Sequence, residues 1–183
     1  MAKSHCFLRT DRNRLFIALV CVVHLLILSR CGYHFPGRGE FLTPEIQRIA
    51  IPIFTNQTTE VGIENYFTAA LVEEFNRSKR IRLVREDRAD ATIKGTIKSY
   101  SSVPITFDAA GRVREYRCSM TVGVSLVEKE SGEVLWGPSD LNDSEEYSAD
   151  PNILVTESRE GEAVKRIAED LMEEVHEGIF EGF

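Results

Sequence analysis

Tyr116-Arg117-Cys118-Ser119-Met120-Thr121-Val122-Gly123-Val124-Ser125-Leu126 is the stretch whose reading decides the fold. Tyr116, Cys118, Met120, Val122, Val124 and Leu126 alternate with Arg117, Ser119, Thr121 and Ser125. A period of two turns one face of a strand to a core and the other to water. Upstream, Ala91, Ile93 and Ile97 alternate with Thr92, Lys94, Thr96 and Lys98 in the same way. Phe107-Asp108-Ala109-Ala110-Gly111 lies between the two strands and reads as a hairpin end. Downstream, Glu130-Ser131-Gly132-Glu133 turns the chain into Val134-Leu135-Trp136, and Gly137-Pro138 breaks or bulges that strand before residues 145–147.

The flanks change period. In residues 62–77 the apolar side chains Ile63, Tyr66, Phe67, Ala70, Leu71 and Phe75 fall at helical spacing. The last segment opens at Asp150-Pro151, a predicted N-cap and first-turn proline. It continues through Val164, Ile167, Ala168, Leu171, Met172, Val175 and Ile179 as an amphipathic helix, with Gly161 a weak point expected to divide it. Residues 48–54 (RIAIPIF) read as a short buried strand whose Pro52 marks an edge or bulge, and residues 81–84 as another short strand. The order β-α-β-β-β-β-α predicts an α+β two-layer sandwich, a mixed four- to five-stranded sheet with two helices on one face. The opposite face carries Thr, Ser, Lys and Arg, so it is wet or it is a contact surface.

The 183 residues have 43% hydrophobic and 9% aromatic content, which fits one globular domain plus a targeting segment. Charge is uneven: residues 1–30 carry net +4, which leaves −11 of the whole-chain −7 on residues 31–183. Residues 77–117 alone are +6 and residues 128–183 are −13. A net-acidic domain is a poor general binder of nucleic acid, so no nucleic-acid partner is expected.

Residues 1–14 are basic and polar, and residues 15–28 (LFIALVCVVHLLIL) form an apolar run of fourteen broken only by His24. That is the shape of a secretory signal. A helix of this length spans about 21 Å, short of the ~30 Å hydrocarbon core, so a permanent membrane span is the weaker reading. Leu28-Ser29-Arg30-Cys31-Gly32 then resembles the bacterial lipobox, although Arg30 departs from the small residue usual before the cysteine. The resemblance implies cleavage before Cys31, with diacylglycerol and a fatty acyl chain (palmitate or similar) on that residue. Ordinary signal-peptidase cleavage and an uncleaved anchor remain the alternatives. Two or three acyl chains would hold firmly, at ~0.8 kcal/mol per buried CH₂. The expected organisation is a signal peptide over 1–30, a lipid-anchored linker over 31–47 and a domain over 48–183.

No catalytic set emerges. Beyond the signal only Cys118 remains besides Cys31, so an internal disulfide is excluded, and its strand position predicts a small buried hydrophobe. His34 and His176 offer no metal-ligand spacing, and His176 reads as a solvated helix residue among glutamates. The adjacent pairs Glu145-Glu146 and Glu173-Glu174 diverge in direction and read as solvated charge. Neither an enzyme nor a resident metal or cofactor is expected. Basic residues are denser: Arg77, Lys79, Arg80, Arg82, Arg85 and Arg88 surround the second short strand, and Arg112, Arg114 and Arg117 follow the hairpin. Lys94 and Lys98 stand on the polar side of the partner strand. These are either solvated charges balancing the acidic last third or a cationic face for a phosphorylated or carboxylated amphiphile, which Arg suits through its bidentate fork.

An ordered set of short matches runs through the chain. It starts at Cys31-Gly32-Tyr33-His34-Phe35 and Ile49-Ala50-Ile51-Pro52-Ile53-Phe54 before Asn56. It continues through Gly95-Thr96-Ile97, Phe107-Asp108-Ala109-Ala110-Gly111-Arg112 and Glu115-Tyr116-Arg117. It closes with Gly132-Glu133-Val134-Leu135-Trp136, Ala168-Glu169-Asp170-Leu171 and Glu181-Gly182-Phe183. With these residues the chain resembles the LptE (RlpB) family of lipopolysaccharide-assembly lipoproteins. The resemblance implies a lipoprotein of the Gram-negative outer membrane, facing the periplasm. It implies a partner, the LptD-type β-barrel, that the domain plugs and helps assemble, and a ligand, lipopolysaccharide (LPS). Arg112, Arg114, Arg117, Lys94 and Lys98 are the candidate LPS contacts. A polar strand face agrees with the plug, because a barrel lumen is polar. The competing expectation is a stand-alone lipid- or glycan-binding lipoprotein of the envelope.

Overall fold

The computed structural model describes residues 46–181; the expected signal peptide, Cys31, His34 and residues 31–45 of the linker lie outside the described residues. The elements are β1 (Arg48–Ala50), β2 (Thr55–Asn56), α1 (Ile63–Ser78), β3 (Arg82–Leu83), a 3-10 turn (Glu86–Arg88), β4 (Ala91–Phe107), β5 (Val113–Glu128), β6 (Val134–Ser148) and α2 (Ile153–Glu181). The sheet is mixed and runs β3-β1-β4-β5-β6, with β2 also paired to β4. β1 lies parallel to β3 and β4, whereas β4, β5 and β6 form an antiparallel meander.

The α+β class and the two helices on a mixed sheet are as the periodicities predict, but there are six strands where four to five were expected. The extra one is β2 at Thr55–Asn56, just past the stretch 48–54 read as one strand. Pro52 has no N–H to give a ladder, so β1 stops at Ala50 and pairing resumes only at Thr55, opposite Thr96. The entry to β1 is stapled by Asp90, whose Oδ2 accepts the backbone N–H groups of Gln47 (3.1 Å) and Arg48 (2.8 Å). Its Oδ1 meets the Arg48 guanidinium at 2.5 Å. The Arg48 hydrogen bond holds the Asp90 carboxyl below the usual range.

Both helices pack on the face that the alternation turns inward. Ala91, Ile93 and Ile97 of β4 and Cys118, Met120, Val122, Val124 and Leu126 of β5 are buried there. α1 contributes Ile63, Phe67, Leu71 and Phe75, and α2 contributes Val164, Ile167, Leu171, Met172, Val175 and Ile179. Each such side chain contributes roughly 1.5–3 kcal/mol by leaving water. That sum explains why α2 runs unbroken through Gly161, correcting the expected division: glycine costs about 1 kcal/mol in a helix interior, less than one buried leucine. The cap also lies two residues later than predicted. Asn152 Oδ1 accepts the Leu154 N–H at 3.1 Å, and Asp150 Oδ1 supports Asn152 from behind at 2.9 Å.

A further correction concerns His176. It is half-buried rather than solvated, with its ring 5.1 Å edge-on from Phe75 and 4.7 Å from Phe180. The glutamates flanking it in sequence lie around the helix, while its own position faces the α1 aromatics.

Glycine carries one close approach in the core. A Cβ built on Gly95 stands 2.3 Å from Phe54 Cε2, because the Phe54 ring lies flat on the β4 backbone. Gly95→Ala therefore overpacks a buried site, and we expect a loss of about 1–3 kcal/mol in urea unfolding. Adding Phe54→Leu to the alanine variant should recover part of that loss.

Candidate functional site: an open polar sheet face and its basic hairpin

Among the described residues no helix lies on the second face of the meander. Thr92, Lys94 and Thr96 of β4 stand there beside Ser119, Thr121 and Ser125 of β5, and Asn142, Ser144 and Glu146 of β6 complete the rows. The side chains bond along the surface, as in Thr121 Oγ1 to Asn142 Oδ1 at 2.6 Å. Such a face is too polar to bury against an apolar partner without cost, yet it offers donors and acceptors in a regular grid.

A bulge re-aims part of this surface. The β4–β5 register jumps between Ile97 and Ser99, so Lys98 has no opposite residue and the alternation of β4 inverts beyond it. Odd positions point inward up to Ile97; after the bulge Tyr100 and Ser102 turn toward the helices instead. Lys98 then reaches across β5 to β6, where its Nζ meets Asp140 Oδ1 at 2.6 Å. The crossing runs over Gly123, where a Cβ would stand 2.7 Å from Lys98 Cε and push the lysine aside.

The five candidate LPS contacts divide into two groups. Lys98 pairs with Asp140, Arg117 pairs with Glu146 at 2.7 Å, and Arg112 Nε pairs with Asp108 Oδ2 at 2.8 Å. Arg114 and Lys94 are exposed and have no carboxylate within ion-pair distance among the described residues. The structure does not gather the five into one cluster. Lys94 and the hairpin end of β4 are thirteen ladder steps apart, roughly 40 Å of strand.

Asp108 organises the hairpin tip. Its Oδ1 accepts the backbone N–H groups of Ala110 and Arg112, both at 2.9 Å, and Gly111 takes a left-handed φ of 78° to close the turn. The Arg112 N–H and then its guanidinium hold this carboxyl below the ordinary range, with Arg114 adding to the effect. The tip is thus a preformed loop rather than a free cationic finger. Phe107 (56% exposed) and Val103 (47%) place apolar surface beside it.

Sequence reasoning missed the polar seam behind the bulge. Tyr100 donates to Glu160 of α2 at 2.5 Å, Ser102 and Tyr147 share a hydrogen bond of 2.7 Å, and Tyr147 stacks on Tyr116. Burial pushes the Tyr147 phenol up to about 12 and the neighbouring Cys118 thiol up to about 11. Cys118 is fully buried, so at neutral pH it is a protonated, packed hydrophobe and no nucleophile. The only sequence signal for the seam was the loss of apolar alternation after Ile97. Glu145 and Glu146 do diverge as expected: Glu145 pairs with Arg166 of α2 at 2.7 Å and Glu146 with Arg117 on the open face. Among the described residues no cluster could hold a metal ion, and no helix is long and apolar enough to cross a membrane.

The fold is that of lipoproteins of known structure. It is similar to rare lipoprotein B from Shewanella oneidensis, with TM-score 0.50 and 16% identity over 72% of this chain and 92% of that one. It is likewise similar to lipoprotein B from Nitrosomonas europaea, with TM-score 0.51 and 16% identity over 74% of this chain and 83% of that one. No curated protein sequence matches significantly. A sequence model of the LptE lipopolysaccharide-assembly family matches residues 46–177, and the chain belongs to that family. Its members are non-enzymatic assembly lipoproteins, in agreement with the resemblance carried by the short motifs.

One charge cluster yields a pH dependence. Asp170 on α2 is pushed up by desolvation and by the carboxylates Asp143, Glu145, Glu173 and Glu169. A raised folded-state pKa means that its charge opposes folding above that pKa, and the opposition disappears below the unfolded value near 3.9. Asp170→Asn should therefore melt higher than the parent protein at pH 7, and the two melting curves should converge as pH falls below about 4.

Proposed function

We propose that this protein is a lipid-anchored subunit of the outer-membrane LPS export machinery, working by docking rather than turnover. Acyl chains on Cys31 anchor it in the outer membrane, facing the periplasm. The domain occupies the lumen of an LptD-type β-barrel, helps that barrel assemble, and meets LPS at its basic hairpin. The observation that carries this reading is the polar face of the β4–β5–β6 meander, which no helix of the described residues covers, a grid of hydroxyl, amide and paired-charge side chains inside an LptE-family domain. A barrel lumen is lined by polar groups and water, and a plug needs this kind of surface there.

Affinity purification from detergent-solubilised membranes tests the partnership. An outer-membrane β-barrel should co-purify in stoichiometric amount, and its folded, heat-modifiable form should fall when this protein is depleted. A domain that binds LPS alone while barrel folding is unchanged would instead support the stand-alone envelope binder. Intact mass of the membrane-extracted chain should report cleavage before Cys31 together with its acyl chains.

The ion pairs refine which cations meet LPS. Arg114 forms no ion pair and acts on Asp108 only from a distance, whereas Arg117 and Lys98 must each leave a paired carboxylate before meeting a phosphate. Arg114→Gln should weaken LPS binding about tenfold or more, the scale of one charge-assisted hydrogen bond. Arg117→Gln should cost less, because Arg117 is already committed to Glu146. Equal losses for both variants would remove this ranking.

A further inference from the structure

The basic run around β3 has no part in the hairpin site, and the structure sorts it. Arg77 is engaged by Glu73 and Glu74, while Arg85 and Arg88 lie near Asp87. Lys79, Arg80 and Arg82 have no carboxylate partner among the described residues, although the domain is strongly acidic overall. All three line one groove of about 530 Å³ beside the end of α1, with Phe75, Ile81 and Ile46 also on its walls. Arg80 is held against the rim by the Phe180 ring, 5.2 Å from its guanidinium carbon.

We propose that this groove receives the phosphate headgroups of anionic phospholipids in the leaflet that holds the lipid anchor. Three exposed cations line one groove, and the Arg fork matches a phosphodiester in both charge and geometry. The apolar wall of Ile81 and Phe75 suits the glycerol-ester region next to a headgroup. Ile46 ties the groove to the chain's entry point: fifteen residues separate it from Cys31, a reach of at most about 50 Å. A tethered bilayer thus stays at high local concentration around the groove. An acyl anchor together with a basic patch is a general means of fixing how a protein sits on a membrane.

Lys79 supplies an independent pointer. It ends α1 in the left-handed region at φ 53°, where its N–H bonds the Phe75 carbonyl and glycine is the usual residue. A lysine there carries backbone strain that glycine would not. The bland account, that cations offset the negative helix end, does not need one at the strained position. Glycine at this place should hold the fold as well or better while removing a headgroup contact.

The inference rests on the Cys31 anchor but not on the barrel or on LPS binding, and the test needs no barrel. Full-length lipidated protein, its acyl mass confirmed first, is placed in nanodiscs of phosphatidylcholine alone or mixed with phosphatidylglycerol. Amide hydrogen exchange is followed across residues 79–83 and, for comparison, across the 107–114 hairpin. Phosphatidylglycerol should slow exchange at residues 79–83 at least about fivefold, the factor that one Lys or Arg contributes near an anionic surface. The hairpin should not change. Lys79→Gly should lose part of the protection with an equal or higher melting temperature, and adding Arg80→Gln and Arg82→Gln should abolish the rest. Equal exchange in the two discs, or protection that survives the triple variant, would overturn the proposal. So would protection by LPS in phosphatidylcholine discs with no effect of phosphatidylglycerol, which would assign the groove to the glycolipid. Failure to co-purify a barrel would count against the export reading and leave this result untouched.

Discussion

The antiparallel pairing of β4 with β5 is the constraint on which the rest of the molecule depends. Its inward residues supply much of the sheet side of the core, and both helices, the three short parallel strands and β6 are arranged around it. The pairing is long enough to serve two purposes in succession. From Ala91 to Ile97 it is a core ladder backed by helices; beyond the Lys98 bulge it becomes a projecting hairpin whose inner face makes polar contacts with the start of α2. A single unpaired residue separates the two regimes, because inverting the alternation replaces an isoleucine with a tyrosine on the helix side.

The same bulge explains the division of labour among the basic residues. By turning Lys98 across Gly123 onto Asp140, it commits that cation to holding β4 against β6. Arg117 and Glu146 do the same one layer further along the meander. Exposed pairs of this kind contribute at most about 1 kcal/mol each, so their main effect is to remove cations from circulation rather than to stabilise the fold. Within the basic segment 77–117, the cations that form no ion pair are spatially selective: Arg114 at the hairpin, Lys94 on the open face, and Lys79, Arg80 and Arg82 at the far end of α1. Charge that looks like one broad basic segment in the sequence is therefore several surfaces with different neighbours.

Much of the architecture was legible because periodicity reports directly on which face is buried. β5 alternates without interruption from Tyr116 to Leu126, and the burial follows it residue by residue. α1 and α2 declare themselves through apolar spacing of three and four, and the divergence of Glu145 and Glu146 follows from strand geometry alone. What failed was local punctuation. Pro52 split a strand into two, Gly161 did not split a helix, and the α2 cap fell on Asn152 instead of Asp150. At Gly161 the burial along α2 outweighed the local preference, whereas the Pro52 break and the Asn152 cap were set by hydrogen bonding of the adjacent backbone. His176 is a further instance: its sequence neighbours are glutamates, but its spatial neighbours are Phe75 and Phe180.

The sequence by itself determined the class of fold, the polarity of the two sheet faces, the burial of Cys118 and the family to which the chain belongs, since these follow from side-chain type at fixed spacing. Only the tertiary structure decided which cations are paired, where β4 changes face, and that Lys79, Arg80 and Arg82 share a groove with Ile46. An ion pair such as Lys98–Asp140 joins residues far apart in the chain, and its formation depends on a bulge, a glycine and a register that appear only once strands are laid side by side.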